Sequence, residues 1–325
     1  MADKKRVLSG IRATGRLHLG NYLGAVKGML ELQDNSEYET FYMVADAHAI
    51  TTPYDTKTLS TNRKEVILDY LSAGLDPKKS VLFVQSMVPA HFELMHYLGS
   101  VISVNRMQHL PTYKEKVKQY SEEASMALLN YPVLMAADIL AYKAELVPVG
   151  VDQEPHLEIA RQIARNMNAK FGTDFPEPRI FETSGKYVPS LLGEGKMSKS
   201  VDGSYINLSD DLDTISARLA KTPTDSGKGD NVPTQGYVAN LLFFVGLFEG
   251  AEKRKRYEEM YLSTGIRYGD LKSDLAKAIY ETIKPIQDKR MEMEKIVEDV
   301  ILGGSKKAHE VSSIILSDVK QKMGF

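Results

Sequence analysis

The sequence predicts an α/β protein built on a doubly wound, parallel Rossmann-type sheet, followed by an all-α domain at the C-terminal end. Two observations lead to this prediction. Over the first part of the chain, short β-rich runs alternate with longer segments of helical periodicity. After about residue 205 the strand signals fade, and the remaining segments all have helical periodicity. We therefore expect a sheet domain over residues 1–204 and a helical domain over residues 205–325.

The individual elements follow from the apolar spacing. Strands are expected at residues 6–11, 41–45, 80–85 and 147–150. Helices of the sheet domain are expected at residues 20–32, 63–75, 91–104, 128–142 and 154–171. The C-terminal helices are expected at residues 211–221, 236–248, 251–262, 268–301 and 305–323. In a doubly wound sheet, ligands bind at the carboxyl ends of the strands.

Composition excludes several classes of protein. The 325 residues include 41 Lys+Arg and 43 Asp+Glu but no Cys, so disulfide frameworks, thiolate nucleophiles and Cys-bound zinc or iron–sulfur sites are excluded. Any metal must be oxygen-bound or carried by a nucleotide. The first ten residues contain no apolar signal segment, and no apolar run is long enough for a membrane span. We therefore expect a cytoplasmic protein without a membrane partner.

A glycine-rich turn joins the first predicted strand to the first predicted helix. It carries Gly10, Gly15 and Gly20, together with His18 and Asn21. Backbone N–H groups and the positive end of a helix would face an anion at this position, and glycines would let a nucleotide approach closely. The alternative is an ordinary turn with a solvated histidine.

A second motif follows the last predicted strand. Residues 195–200 read Gly-Lys-Met-Ser-Lys-Ser within a glycine-rich stretch. Two lysines and two serines on a loop can surround a polyphosphate, because each ammonium acts as a mobile point charge. On composition alone, the alternative is a solvated basic loop.

The two motifs in this order resemble the paired signatures of class I aminoacyl-tRNA synthetases. The stretches around residues 8–25, 44–51 and 128–168 also resemble the bacterial tryptophanyl-tRNA synthetases, and the similarity is most specific from Leu8 to Ser200. The resemblance implies a catalytic nucleotide-binding domain over residues 1–204 and an anticodon-binding domain over residues 205–325. It further implies that L-tryptophan and ATP are joined to an adenylate with release of pyrophosphate, and that tryptophan is then transferred to tRNA(Trp).

The resemblance also assigns roles to individual residues. Those implied to act on the ATP phosphates, and counted as catalytic, are His18, Asn21, Lys116, Lys196 and Lys199. Other residues of the implied ATP site are Gly20, Gly150, Val151, Asp152, Val188, Met197, Ser198 and Ser200. Arg12, Ala13 and Thr14 stand where the family often has Gln-Pro-Ser or Gln-Pro-Thr, and a fixed cation suits either a carboxylate or a phosphate.

The amino-acid pocket is expected on the helix over residues 128–142. Tyr131, Met135 and Asp138 are spaced to share one face of it, which on the pattern alone could equally be a core-facing stripe. By resemblance, Asp138 accepts the indole N–H and Met135 packs on the ring. The resemblance also implies that Tyr131 and Gln153 hold the substrate ammonium and that His48 and Leu8 line the pocket. An indole nitrogen is only a donor, so an ionised carboxylate is a suitable acceptor.

The implied chemistry needs no enzyme nucleophile. A substrate carboxylate with a pKa near 3.5 is already ionised at neutral pH and attacks the α-phosphate directly. Lysines, helix ends and Mg²⁺ carried by the nucleotide would stabilise the charge on the phosphates. The resemblance also implies a homodimer joined near residues 75–145, and tRNA contacts from basic clusters at residues 253–256, 289–290 and 306–307.

Three other interpretations remain open on the sequence. A tyrosyl-tRNA synthetase shares the fold and both signatures, although Met135 replaces the second polar group that would read a phenol. A nucleotidyltransferase of the HxGH type would usually be smaller and lack the helical appendage. A non-catalytic synthetase paralogue would have no need of the intact lysine loop.

Overall fold

The computed structural model describes residues 4–51, 53–119, 125–181, 187–199 and 201–325. These residues form two compact units, neither of which is continuous in sequence. The first unit comprises Met1–Gly15, Gly28–Ser184 and Met293–Phe325, and the second comprises Arg16–Lys27 and Gly185–Glu292. The expected division at residue 204 therefore does not coincide with the compact units. The second unit begins before residue 204, and the chain returns to the first unit near its C-terminal end.

The first unit is built on a parallel five-stranded sheet in the order β3-β2-β1-β4-β5. The strands are β1 (Lys5–Arg12), β2 (Tyr38–Ala45), β3 (Ser80–Val84), β4 (Leu146–Val147) and β5 (Arg179–Ile180). This order confirms the predicted doubly wound α/β fold. The two-residue strand β5 was not predicted, because so short a run leaves no alternation to detect.

Thirteen α-helices are found in the described parts of the chain. In order, they are α1 (Leu19–Asn21), α2 (Lys27–Gln33), α3 (Leu59–Ala73), α4 (Ala90–Gly99), α5 (Val104–Gln108), α6 (Pro111–Gln119), α7 (Met126–Leu140), α8 (Glu154–Phe171), α9 (Leu212–Lys221), α10 (Gly236–Phe248), α11 (Ala251–Leu262), α12 (Tyr268–Met293) and α13 (Val297–Met323). A π-helical segment, Tyr22–Val26, joins α1 to α2, and short 3₁₀ turns cover Ala47–Thr51, Gln85–Met87 and Val151–Gln153. None of the described helices is long and apolar enough to cross a membrane.

Local signals explain where several helices begin and end. Helix α7 begins after Ser125, whose side chain accepts a hydrogen bond from the Leu128 N–H, and α9 is capped in the same way by Asp211. Helix α8 ends at Gly172, which adopts a left-handed conformation with φ of 67°. Helix α7 is apolar on nearly all sides and lies in the core of the first unit, which explains its continuous run of hydrophobic residues.

The last helix corrects a prediction. The sequence places a break between helices at Gly303 and Gly304, but α13 runs through both residues, and the break lies at residues 294–296. Helix α13 packs on the edge strand β3, where the Ser305 hydroxyl accepts a hydrogen bond from the Val84 N–H at 3.3 Å. A Cβ atom at Gly304 would collide with the carbonyl oxygen of Leu82. Gly304 therefore permits close helix–strand packing instead of ending a helix.

The second unit contains α1 and helices α9–α12. Its N-terminal segment is held by backbone hydrogen bonds: the Leu19 N–H donates to the Ile206 carbonyl at 2.8 Å, and the Leu208 N–H donates to the Leu17 carbonyl at 3.0 Å. These bonds bring the last part of the glycine-rich turn, from Arg16 onwards, and the residues after the lysine loop into one compact unit. The sequence alone gives no sign of this pairing, since the two segments are far apart in the chain.

The two adjacent glycines provide a stability test. We expect Gly304→Ala to lower the free energy of unfolding by about 3 kcal/mol, because the added methyl group must push α13 away from a backbone carbonyl. Gly303→Ala is the matched control: apart from its chain neighbours and the nearby helix backbone, no atom lies within 4 Å of the position that its methyl group would take, so stability should be unchanged or rise by up to about 1 kcal/mol through helix propensity. Urea unfolding measures both changes. Equal effects of the two substitutions would contradict the packing argument.

Candidate functional site

A cavity of about 420 Å³ lies at the carboxyl ends of β1 and β2 in the first unit. Its walls are largely apolar, with Met43, Val147 and Val149 among them. Among the residues predicted from the sequence, those that line it are Leu8, Arg12, His48, Lys116, Tyr131, Met135, Asp138 and Gln153. The volume and the few convergent polar groups are typical of a small-molecule site.

The carboxylate of Asp138 is the most buried charged group in this cavity, with 2% of the residue exposed. Its Oδ1 accepts hydrogen bonds from Gln85 Nε2 at 2.8 Å and from His91 Nδ1 at 2.5 Å. Its Oδ2 accepts from His48 Nε2 at 2.8 Å and again from Gln85 at 3.0 Å. Every partner is a donor, which matches the needs of an ionised carboxylate.

These donors determine the charge of Asp138. Burial alone would raise the pKa of this carboxyl group, but hydrogen bonds from His48 and His91, together with their charge, lower it to about 2. Asp138 is therefore ionised throughout the neutral range. A buried carboxylate of this kind binds a hydrogen-bond donor strongly and leaves an unpaired charge when a ligand lacks one.

A second polar network surrounds Tyr131 on the same helix. Its hydroxyl donates to Thr112 Oγ1 at 2.8 Å and lies 2.7 Å from His156 Nε2. His156 Nδ1 lies 3.1 Å from Gln153 Oε1, and Gln153 Nε2 donates to Asp152 Oδ2 at 2.8 Å. Burial lowers the pKa of His156, so its ring is neutral near pH 7. The network holds Tyr131 and Gln153 in fixed orientations in the cavity wall.

The remaining predicted site residues of the first unit include two cations and the residues of the turn after β4. Arg12 ends β1, and Lys116 lies on α6 with its ammonium 3.2 Å from Gln119 Oε1. Ala13 is buried, and the Thr14 N–H donates to the Arg12 carbonyl at 2.8 Å.

In the turn after β4, Val151 begins a 3₁₀ segment. A side chain at Gly150 would meet the Asp152 carboxylate, so glycine at this position keeps that carboxylate in its observed place.

The second unit contains the remaining predicted residues. His18 caps α1: its Nδ1 accepts the Asn21 N–H at 3.3 Å, and Asn21 Oδ1 accepts the His18 N–H at 3.2 Å. A Cβ at Gly20 would lie 2.9 Å from the His18 ring and 3.1 Å from Cβ of Met197. Gly20 therefore allows the turn and the lysine loop to pack closely around the histidine.

The charge state of His18 follows from this packing. Burial, and then the charges of Lys199 and Lys196, lower its pKa to about 4. The ring is therefore neutral at pH 7. Since Nδ1 accepts a hydrogen bond, the ring hydrogen is on Nε2, and His18 can donate it to an anion.

The lysine loop is tied to its own unit by backbone hydrogen bonds. The Met197 N–H donates to the Val188 carbonyl at 3.0 Å, and the Ser204 hydroxyl donates to the Ser198 carbonyl at 2.7 Å. Val188 and Met197 are buried, whereas Lys196 is exposed. Ser200 was also predicted to belong to this loop, and it lies outside the described residues.

The structure therefore groups the predicted residues in two sets, one in each unit, and their roles stay predictions. Four polar residues of the first unit were missed by the sequence analysis: Gln85, His91, Thr112 and His156. A weak signal existed only for His156, which follows Gln153 by three residues and so shares its helix face. In the described part of the chain, no group of three or more His, Asp or Glu side chains is arranged to hold a metal ion.

Comparisons with known proteins agree on one family. Residues 2–284 match the tRNA synthetases class I (W and Y). The tryptophan–tRNA ligase of Prochlorococcus marinus is 39% identical over 341 residues, covering 100% of this chain and 98% of the relative. That of Porphyromonas gingivalis is 37% identical, covering 98% of this chain and 99% of the relative. The crystal structure of tryptophanyl-tRNA synthetase from Campylobacter jejuni, complexed with ADP and tryptophan, superposes with a TM-score of 0.85 at 32% identity, covering 98% of this chain and 100% of that chain.

The pKa of His18 can be tested directly. We expect its imidazole to titrate near pH 4 in the folded protein, whereas an unfolded histidine titrates near 6.5. Because the unfolded state binds the proton first, the contribution of His18 to stability is present above pH 6.5 and lost as the pH falls towards 4. NMR titration of labelled histidines, with His18 assigned by its absence in His18→Gln, measures the midpoint. Lys199→Ala should raise it, and a wild-type midpoint near 6.5 would contradict the structure.

Proposed function

The chain belongs to the class I tRNA synthetases for tryptophan and tyrosine, and we propose that it activates L-tryptophan with ATP and transfers the amino acid to tRNA(Trp). It is an aminoacyl-tRNA synthetase of the tryptophan–tRNA ligase type. The observation that carries the choice of amino acid is Asp138, a buried and ionised carboxylate that lines the cavity of the first unit.

Asp138 favours an indole over the side chains of similar amino acids. The indole N–H is a donor without acceptor capacity, so it suits a carboxylate that only accepts. Phenylalanine offers no donor and would leave the carboxylate without its substrate partner. Tyrosine carries a phenol that both donates and accepts, and apolar Met135, one turn before Asp138 on the same cavity wall, offers it no donor. Met135 instead suits the apolar face of an indole.

In the proposed substrate complex, other polar groups of the cavity bind the ammonium and carboxylate groups of the amino acid. Tyr131 and Gln153 bind the ammonium, with their orientations held by His156 and Thr112. Arg12 provides a fixed positive charge for the carboxylate or for a phosphate, and His48 and Leu8 complete the wall.

We assign the ATP contacts by residue. Gly150 and Asp152 would meet the ribose hydroxyls, Val151 between them belongs to the same ATP site, and Val188 would meet the adenine. Those assigned to the nucleotide turn and the phosphates are Arg12, Ala13, Thr14, His18, Gly20, Asn21, Lys116, Lys196, Met197, Ser198, Lys199 and Ser200. His18 would act as a neutral donor, because its pKa near 4 keeps it uncharged at pH 7.

The chemical step needs positioning and charge stabilisation. The tryptophan carboxylate attacks the α-phosphorus of ATP, the bond from this phosphorus to the bridging oxygen breaks, and pyrophosphate leaves with the electron pair. The nucleophile is already ionised, so no side chain has to remove a proton. Lysine ammonium groups, and Mg²⁺ that arrives with ATP as part of the substrate, would stabilise the negative charge that moves onto pyrophosphate.

One proposed partner is tRNA(Trp), and the basic clusters differ in how well they suit it. Residues 253–256 are partly neutralised, since Lys253 pairs with Glu249 and Asp274 and Arg254 pairs with Glu258. Residues 306–307 lie on α13 of the first unit, not among the helices of the second. The proposed location is the cytoplasm, where the charged tRNA would be used.

The other proposed partner is a second copy of the chain, joined through residues 75–145. In its described part, this segment presents several exposed apolar side chains, which are Met87, Phe92, Val104 and Met126. Exposed apolar side chains of this kind are suited to contact with another protein surface.

The experiment that tests this function is ATP–pyrophosphate exchange with each of the twenty amino acids. Tryptophan alone should give a strong response. A response to tyrosine in its place would support the tyrosyl alternative. If no amino acid supported exchange, the protein would be a non-catalytic relative.

Asp138→Asn should damage the selection of tryptophan. The amide would present its NH₂ to a ring of donors, and the charge-assisted bond to the indole would be lost, so we expect kcat/KM for tryptophan to fall by about 2–3 kcal/mol. Asp174→Asn is the control, because Asp174 is 66% exposed and should leave kcat/KM unchanged. An unchanged kcat/KM in Asp138→Asn would remove Asp138 from the binding site.

Lys199→Ala should slow adenylate formation about a hundredfold while leaving tryptophan affinity nearly unchanged, because its charge is needed only as negative charge moves to pyrophosphate. Single-turnover kinetics and equilibrium dialysis separate the two quantities. Lys228→Ala, an exposed loop lysine of the same unit, is the control and should change neither. Equal losses in rate and affinity would show that the loop is mainly structural.

A further inference from the structure

Behind Asp138, and away from the cavity lining, lies a buried polar chain that the proposed function does not use. His91 is 0% exposed, and its two ring nitrogens have different partners: Nδ1 is 2.5 Å from Asp138 Oδ1, and Nε2 is 2.7 Å from the Tyr142 hydroxyl. Tyr142 is also fully buried and hydrogen-bonds with the side chain of Ser312 on α13. Neither His91 nor Tyr142 lines the cavity.

The protonation of this chain follows from its ends. An ionised carboxylate can only accept, so His91 Nδ1 carries a hydrogen and donates it to Asp138. Burial raises the pKa of Tyr142, so its hydroxyl keeps its hydrogen, and it lies 2.7 Å from His91 Nε2. The chain therefore runs from Tyr142 through His91 to Asp138, and the hydrogen bonds at its two nitrogens fix the orientation of the His91 ring.

Gln85 and His48, the other two donors to Asp138, bind its carboxylate differently from His91. Gln85 is held by the Ala47 N–H, which donates to Gln85 Oε1 at 3.1 Å, and its Nε2 spans both carboxylate oxygens. His48 lines the cavity and binds only Oδ2. His91 binds only Oδ1 and does not line the cavity, and so opposes rotation of the carboxylate about its Cβ–Cγ bond.

We propose that His91, supported by Tyr142, is a positioning residue for tryptophan selection, which holds the Asp138 carboxylate in the orientation that accepts the indole N–H. This proposal rests on the proposed function, because it assumes that Asp138 binds the indole N–H of tryptophan. His91 itself touches no substrate. Its loss should therefore weaken recognition of the N–H group while leaving the chemistry on ATP intact.

Two substitutions of His91 distinguish its two nitrogens. Asn at this position places its amide nitrogen near the position of Nδ1 and can keep the hydrogen bond to Asp138. Gln places its amide nitrogen near the position of Nε2, so it keeps only the hydrogen bond to Tyr142. Both are polar and smaller than or similar to histidine in size, so both leave a similar space in the core. His91→Asn is thus the conservative variant and His91→Gln the disruptive one.

The readout is the ratio of kcat/KM for tryptophan to kcat/KM for its benzothiophene analogue, in which sulfur replaces the N–H. Both are measured by ATP–pyrophosphate exchange with the full-length protein. We expect His91→Gln to lower the wild-type ratio about tenfold or more, the size expected for a charge-assisted hydrogen bond. The change should lie in KM for tryptophan, with kcat and KM for ATP within about twofold of wild type. His91→Asn should keep the ratio within about threefold.

Each contrary result has a distinct meaning. If the wild-type protein does not prefer tryptophan to the analogue, the proposal that Asp138 recognises the indole N–H is wrong. If wild type shows the preference and folded His91→Gln retains it, the positioning role of His91 fails alone. Equal losses for both amino acids, or a fall in kcat with an unchanged ratio, would show a structural role and overturn the proposal.

A second variant keeps the test decisive if His91→Gln does not fold. Tyr142→Phe removes one oxygen atom from a side chain that stays packed against Phe41, with ring centroids 4.6 Å apart. It leaves His91 Nε2 without the hydrogen-bond partner that fixes the ring, so the ratio should fall several-fold. An unchanged ratio in Tyr142→Phe would overturn the proposal.

Discussion

The structure of the first unit depends on the burial of one negative charge. An isolated carboxylate in a protein interior is very costly, and a protein normally avoids the cost by protonating the group or by surrounding it with donors. Asp138 is surrounded by donors: three side chains donate hydrogen bonds to its two oxygens. The pKa near 2 shows that these donors outweigh burial.

The three donors come from segments that follow the neighbouring strands β2 and β3, which relates them to the strand order of the sheet. His48 comes from the 3₁₀ turn after β2, Gln85 from the turn that follows β3, and His91 from the first turn of α4. Parallel strands end at the same edge of a sheet, so turns that follow neighbouring strands converge there. The carboxylate on α7 is reached from this edge. The strand order and the charge state of Asp138 are therefore linked.

A similar electrostatic requirement holds in the second unit, with the opposite sign. His18 is buried close to two lysines, and a charged imidazole there would be repelled by both and poorly solvated. Neutrality removes this conflict, and the cap on α1 then decides which nitrogen carries the hydrogen. The buried groups of both units thus have charge states set by their surroundings, Asp138 by its donors and His18 by burial and then by nearby cations.

The sequence predicted the parts of this protein that depend on local pattern. The central strands, the apolar helix α7 and its Tyr131–Met135–Asp138 face follow from periodicity, and the motif residues follow from their resemblance to a family. The partners of Asp138 could not be found in this way. Gln85 and His91 are separated from it by 53 and 47 positions, and nothing in their local sequence indicates a shared site.

The compact units differ from the predicted division for a related reason. Helical periodicity shows that α13 is a helix with an apolar face, but it does not show which surface that face covers. In the structure α13 covers β3, an edge strand whose unpaired N–H and C=O groups would otherwise be open to pairing with another chain. Ser305 binds the Val84 N–H there, and Ser312 reaches Tyr142. The first unit therefore needs the last part of the chain for its sheet edge and for the support behind its buried carboxylate. A fragment ending at residue 204 would lack both, although it contains all five strands found among the described residues.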